Sequence, residues 1–234
     1  MLSGAAALDW IVELSGNIPG WRAGRAAKAL ATTVYNLEPD PAIVEVGVFM
    51  GRSTFLMSGA RRLRGGGKIH CVDPFDCSGD PPSVPHYQAA LKSFRRQSFL
   101  EMIRRPSLEE VFRRQMEHFR CEGMVDIRKG TSRDVSAAWR TPIDLLILDG
   151  DQSPEGAREA FESWTPFVRR GGIVVLGNTE ERAFAPLHDG NYRMARERLS
   201  QPHFVNVHRV ECTTFATVAQ PLELSLRSSL SAGA

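Results

Sequence analysis

Nine consecutive residues, Glu45-Val46-Gly47-Val48-Phe49-Met50-Gly51-Arg52-Ser53, carry the strongest chemical signal in the chain. They follow an apolar run and open a helix predicted over Ser53–Ala60. That is the strand-to-helix turn at which open α/β sheets bind ligands. Gly47 lets the backbone turn and approach a ligand closely, where a Cβ would obstruct. Gly51 and Ser53 lie where the first N–H groups of a helix point at an anion. Glu45 suits an ammonium. Donors for a carboxylate beside an acid for an amine fit an amino-acid-bearing cofactor better than a pyrophosphate. Further along, Asp73 closes a second apolar run, where an acid can grip two ribose hydroxyls. The pair implies an adenosine-type cofactor. The glycine spacing is not the GxGxxG of dinucleotide sites.

These residues need strands and helices to hold them. Ala42–Val46, Lys68–Val72, Val125–Lys129, Ile143–Leu148 and Gly172–Leu176 read as strands, and the first, fourth and fifth are near-continuous Val/Ile/Leu. Such strands are covered by helices on both faces. Intervening helical stretches make the pattern βαβ and the sheet parallel. Two alternating segments follow, Phe204–Val210 and Thr213–Gln220, and the short link between them permits only an antiparallel hairpin. Ser107 with Glu110 forms a capping box for a helix through about Phe119. Ser153-Pro154 starts another through about Trp164, and Gly171 and Gly172 are expected to end it and turn the chain into the fifth strand. Ala5–Leu14 and Trp21–Tyr35 predict helices before the first strand. The fold class is α/β: a doubly wound, Rossmann-like, mostly parallel seven-stranded sheet closed by an antiparallel hairpin. Residues 1–38 form N-terminal helices, 39–220 the main domain with a lid insertion at about 76–123, and 221–234 a tail.

At 234 residues the chain builds one sizeable core. A net charge of +2 exerts no general pull on nucleic acid or membrane. Cys71, Cys77, Cys121 and Cys212 have no metal-ligand spacing and read as free thiols of a reducing compartment. Met1–Gly20 lacks the pattern of a signal peptide, and no run is long enough to span a membrane, so the expected location is the cytoplasm.

The ordered set E-x-G-x-x-x-G-x-S, V-D-P at Val72–Pro74, G-T-S at Gly130–Ser132, L-D-G-D at Leu148–Asp151 and R-G-G-I-V-V resembles the class I S-adenosylmethionine-dependent methyltransferases. Within them it is similar to small-molecule O-methyltransferases of antibiotic and sugar tailoring, and more loosely to catechol O-methyltransferase. The resemblance covers roughly Pro39 to Gly177. It implies Glu45, Gly47, Gly51 and Ser53 around the methionine end of S-adenosylmethionine, Asp73 on the ribose, Thr131 and Ser132 near the adenine, and Asp149 and Asp151 beside the sulfonium. The expected acceptor is the hydroxyl of a small molecule, a sugar or natural product, and the expected assembly a homodimer or higher homo-oligomer.

The departures concern the chemistry. Where these families often continue D-G-D-H, Gln152 replaces the histidine. Where their fifth strand often ends in paired acids or His-Asp, this one ends in Gly177-Asn178. Asp149, Asp151 and the Asn178 carbonyl are the candidate ligands for a divalent cation such as Mg²⁺, with one acid fewer than such a hard ion favours. Without the ion, proton removal from a hydroxyl falls to a side chain, for which Asp151, His86, His188 and Asp189 are candidates. Tyr87, Tyr192 and Trp21 are candidate walls of an acceptor pocket. Two other functions fit the same motifs: methylation of nitrogen, RNA or protein, and cofactor binding without catalysis.

Overall fold

The computed structural model describes residues 4–181 and 187–223, leaving aside the side chain of Phe99. Five parallel strands, β1 (Ala42–Val46), β2 (Lys68–Asp73), β3 (Val125–Lys129), β4 (Ile143–Leu148) and β5 (Val168–Leu176), are joined by the hairpin β6 (Phe204–Val210) and β7 (Thr213–Val218). The strand order is β3-β2-β1-β4-β5-β7-β6, with β7 antiparallel to both neighbours. From β1 the chain winds outward through β2 and β3, then crosses back to lay β4 on the other side of β1. This reversal opens a crevice at the carboxyl ends of β1 and β4.

Alternation along each strand feeds two cores. Ile43, Leu145, Ile147 and Val175 face one, where they meet α1 (Gly4–Ser15), α2 (Gly24–Tyr35), α3 (Arg52–Arg62) and α6 (Leu108–His118). Val44, Val46, Leu146, Leu148, Val174 and Leu176 face the other, against Phe161 and Trp164 of α8 (Pro154–Trp164) and Met194 of α9 (Gly190–Glu197). The central strands read as unbroken apolar runs because both faces are covered. Caps set the helix starts. Ser107 Oγ accepts from the Glu110 N–H while Glu110 Oε2 accepts from the Ser107 N–H, and Ser153 Oγ accepts from the Gly156 N–H at 3.0 Å.

Two expectations change. Gly171 and Gly172 do not end a helix: α8 stops at Trp164, a turn spans Thr165–Phe167, and β5 already runs from Val168. Gly171 has φ +80 and lies beside a register shift against β4, so the glycines serve an irregularity within the strand. The long insertion also divides. Leu108, Val111, Phe112 and Met116 of α6 are buried in the first core, so α6 is a layer of the fold. The added part is α4 (Val84–Arg95), which buries Leu91, and α5 (Phe99–Arg104), where Leu100, Met102 and Ile103 are exposed. The expected tail lies mostly outside the described residues. No helix among those described is long and apolar enough to cross a membrane.

Candidate active site

A cleft of about 670 Å³ lies over the carboxyl ends of β1, β2 and β4, within the usual range of small-molecule sites. Ser53, Asp73, Thr131, Ser132, Asp149 and Asp151 line it, as do Gly47, His86, Asn178 and His188.

Asp73 organises one end. Its Oδ2 accepts from the N–H groups of Val48 (2.9 Å) and Phe49 (3.1 Å), and its Oδ1 from that of Phe75 (2.7 Å). The carboxylate therefore ties the turn after β1 to the turn after β2. Burial raises its pKa, and the three N–H donors restrain the rise. A carboxylate has about four acceptor sites, so Oδ1 keeps capacity for a hydroxyl in the cleft. Thr131, next along the rim, caps α7 (Ser132–Ala138) by accepting from the Asp134 N–H, and Ser132 Oγ accepts from Trp164 Nε1 at 3.0 Å.

Glu45 is not where an ammonium could meet it. It is fully buried beneath the turn, with its oxygens accepting from the hydroxyls of Ser53 and of Thr54 (2.6 Å). Burial pushes its carboxyl up to about 7, against the hydrogen bonds from Ser53 and Thr54 and the nearby charge of Arg22. Its role is to fix the start of α3. Gly47 has φ +84, and a Cβ there would lie 2.4 Å from Gly150 Cα, so the close approach it permits is to the turn after β4. Gly51 also faces away from the cleft. A Cβ on it would meet Met116 at 2.7 Å, and its N–H donates to the Val48 carbonyl. Ser53, whose hydroxyl is committed to Glu45, offers its backbone N–H at the helix start.

The other end is assembled from distant segments. Arg22, just ahead of α2, donates from Nη2 to Asp149 Oδ2 at 2.6 Å and more weakly from Nη1 to Thr213 Oγ1 at 3.4 Å. Arg52 holds the same segment by donating to the Gly20 carbonyl at 2.8 Å. Asp151 is exposed, accepts from the Ser153 N–H at 2.8 Å, and lies over the first turn of α8. Asp189 accepts from Arg193. His86 stands exposed in the first turn of α4. His188 differs from both: it is 5% exposed, and its Nδ1 lies 2.5 Å from Asp80 Oδ2 and 3.1 Å from Ser83 Oγ. Asp80 is buried and also accepts from the N–H groups of Gln152 and Ser83. Burial alone would raise the Asp80 carboxyl, but the His188 and Gln152 hydrogen bonds hold it below its usual value. This latch anchors the start of the insertion.

Trp21, Phe49 and Tyr87 form a three-ring cluster at the cleft, with centroids 5.2, 5.4 and 5.3 Å apart. Burial pushes the Tyr87 phenol well up. Tyr192 is instead paired with Arg196 on α9.

The candidate metal ligands do not fit a hard divalent cation. Asp149 is already neutralised by Arg22, Asp151 is turned to α8, and among the described residues no three His, Cys, Asp or Glu side chains are grouped to hold an ion. Sequence reasoning missed Arg22 and Asp80. Neither has a motif, and each acquires a role only through a partner far along the chain.

The sheet order 3-2-1-4-5-7-6, with a glycine turn and an acid at adjacent strand ends, defines the class I methyltransferase fold. Residues 44–179 match a family model described as a methyltransferase domain, and the chain belongs to that family. Solved structures agree in fold. The O-methyltransferase NovP shares 20% identity at a TM-score of 0.61, covering 93% of this chain and 100% of that one. TomG of Streptomyces achromogenes, an O-methyltransferase of tomaymycin synthesis solved with S-adenosylmethionine, shares 15% at 0.58, over 92% and 90%. An O-methyltransferase from Bacillus cereus in complex with S-adenosylhomocysteine shares 14% at 0.57, over 91% and 90%.

Proposed function

We propose that this chain transfers a methyl group from S-adenosylmethionine to a hydroxyl of a small-molecule acceptor, a sugar or natural product. One observation carries the reading: a single cleft is lined both by an acid at the end of β2 with spare acceptor capacity and by His188, whose ring is held from behind by the buried Asp80. Bound here, S-adenosylmethionine would supply an electrophilic methyl carbon, whose bond to sulfur breaks as the acceptor oxygen bonds to it. Asp73 accepts from the ribose, the start of α3 offers N–H groups to the carboxylate, and Thr131 and Ser132 face the adenine.

His188 is the general base of this reading. Asp80 accepts a hydrogen bond from Nδ1 and so fixes the orientation of the ring that lines the cleft. Asp80 acts through His188 and is a positioning residue. The three aromatic rings at the cleft favour an acceptor with a planar or apolar face over a macromolecular strand.

Calorimetry with S-adenosylhomocysteine and with NAD tests the cofactor. Micromolar binding of the first and none of the second is expected, and tighter binding of NAD would overturn the assignment. Transfer of labelled methyl to a panel of phenols, catechols and sugars then tests the acceptor class; label on RNA or protein alone would refute it.

A further inference from the structure

At the acceptor end of the cleft the place of a metal ion is already taken. Gly177 follows the last residue of β5, Leu176, where a second acidic ligand would stand opposite Asp149. A Cβ on Gly177 would lie 2.0 Å from Asp149 Oδ1 and 3.1 Å from Arg22 Nη2. The volume that an acid at position 177 would need is therefore filled by the Asp149 carboxylate and the Arg22 guanidinium. Arg22 is 6% exposed, and its Nε meets no acceptor among the described residues. A buried guanidinium is costly unless its charge is matched, and here Asp149 matches it at 2.6 Å. Surplus donors remain: Nη2 serves Asp149, while Nη1 has only the 3.4 Å contact to Thr213.

We infer that Arg22 is the resident cation of the acceptor subsite, doing by charge and hydrogen bonding what a divalent metal would do there. Its Nη1 donates to the acceptor's reacting oxygen, orients it toward the methyl carbon and eases loss of its proton to the base. The inference rests on the methyl-transfer reading and adds that the reaction proceeds without a metal ligand set. An arginine suits the role because it stays charged at any working pH and presents several donors in one plane. It reaches the sheet edge only because the segment before α2 folds over the cleft, clamped by Arg52 on Gly20.

Mn²⁺ alone serves as the probe, read by the loss of its free electron paramagnetic resonance signal, with the full chain in the presence of S-adenosylhomocysteine. The wild type is expected to leave Mn²⁺ free. Arg22→Ala combined with Gly177→Asp removes the arginine, frees the Asp149 carboxylate to turn aside from position 177 and restores an acid there, and should bind Mn²⁺ at least about tenfold more tightly. Wild-type binding of Mn²⁺ that Asp149→Asn abolishes would overturn the inference. So would a double variant that binds S-adenosylhomocysteine normally yet gains no affinity for Mn²⁺. If the double variant fails to fold, Arg22→Gln replaces it: it should bind S-adenosylhomocysteine normally yet transfer methyl to the accepted phenol, catechol or sugar at least about tenfold more slowly, and unchanged transfer would overturn the inference. Failure of the wild type to bind S-adenosylhomocysteine would instead strike at the methyl-transfer reading.

Discussion

The two ends of the cleft are made in different ways. At the cofactor end the contacts are short in sequence: Glu45 meets Ser53 and Thr54 eight and nine residues on, and Asp73 meets Val48, Phe49 and Phe75 within 25. Most of them tie carboxylates to hydroxyls or backbone N–H groups of two adjacent turns. At the acceptor end Arg22 reaches Asp149 across 127 residues and Thr213 across 191, and Asp80 reaches His188 across 108. One end is a pair of turns stiffened from within. The other is a junction of segments that only the finished fold brings together. Changes at the first should therefore disturb stability and cofactor binding together, while changes at the second can separate turnover from cofactor affinity.

The largest effect is expected at Asp73. Asp73→Ala strands two buried backbone N–H groups and a third that is partly buried, each costing roughly 1–3 kcal/mol. Urea unfolding should show a loss of about 4–6 kcal/mol, with S-adenosylhomocysteine affinity falling alongside. A variant of native stability that merely binds less well would show that Asp73 is a ligand contact and not the brace of the two turns.

At the opposite end, His188→Gln should lower the methylation rate by about 10²–10⁴-fold and leave S-adenosylhomocysteine affinity nearly unchanged. An equal loss in both would place His188 with the cofactor and erase the contrast between the ends. Asp80→Asn keeps the shape but presents an amide to Nδ1. It should depress the rate and leave S-adenosylhomocysteine affinity nearly unchanged, since a carboxylate no longer holds the ring in place.

A smaller and pH-dependent effect belongs to Glu45. Its carboxyl titrates at about 7 in the folded protein, above the 4.5 of an unperturbed glutamate. The folded state thus holds this proton more tightly than the unfolded chain. Its favourable contribution is present below pH 4.5 and is lost as pH rises to about 7. Glu45→Gln removes that dependence, so relative to wild type the variant should gain up to about 3 kcal/mol between acid and mildly alkaline conditions. Urea unfolding in the two conditions checks it, and an equal difference in both would contradict the shift.

The least change is expected at Thr131, which lines the cleft but whose hydroxyl is engaged with Asp134. Thr131→Ala should cost about 1 kcal/mol as a lost helix cap. Cofactor affinity should move little, as calorimetry would show; a drop beyond about tenfold would make Thr131 a direct contact.

How much was legible in advance follows the same division. The central strands came through because burial on both faces writes itself as unbroken apolar runs. The capping box at Ser107 and the Ser153-Pro154 start appear in the structure as read. A glycine pair that breaks a helix looks the same in sequence as one that bends a strand, and only the fold places Gly171 and Gly172 within β5. The amphipathic pattern of α6 does not say which surface it will cover, so its place in the first core is visible only in the fold.

By itself, then, the sequence determined the strand-and-helix alternation, the hairpin that closes the sheet and the turn that faces the cleft. These follow from periodicity, caps and glycine spacing, all local properties of the chain. Tertiary structure alone decided that Glu45 is sealed beneath the turn, that Asp80 steadies His188, and that Arg22 stands beside Asp149. The physical reason is that a buried charge must find its partner in three dimensions. Nothing in the spacing of an arginine and an aspartate 127 residues apart announces that they will meet.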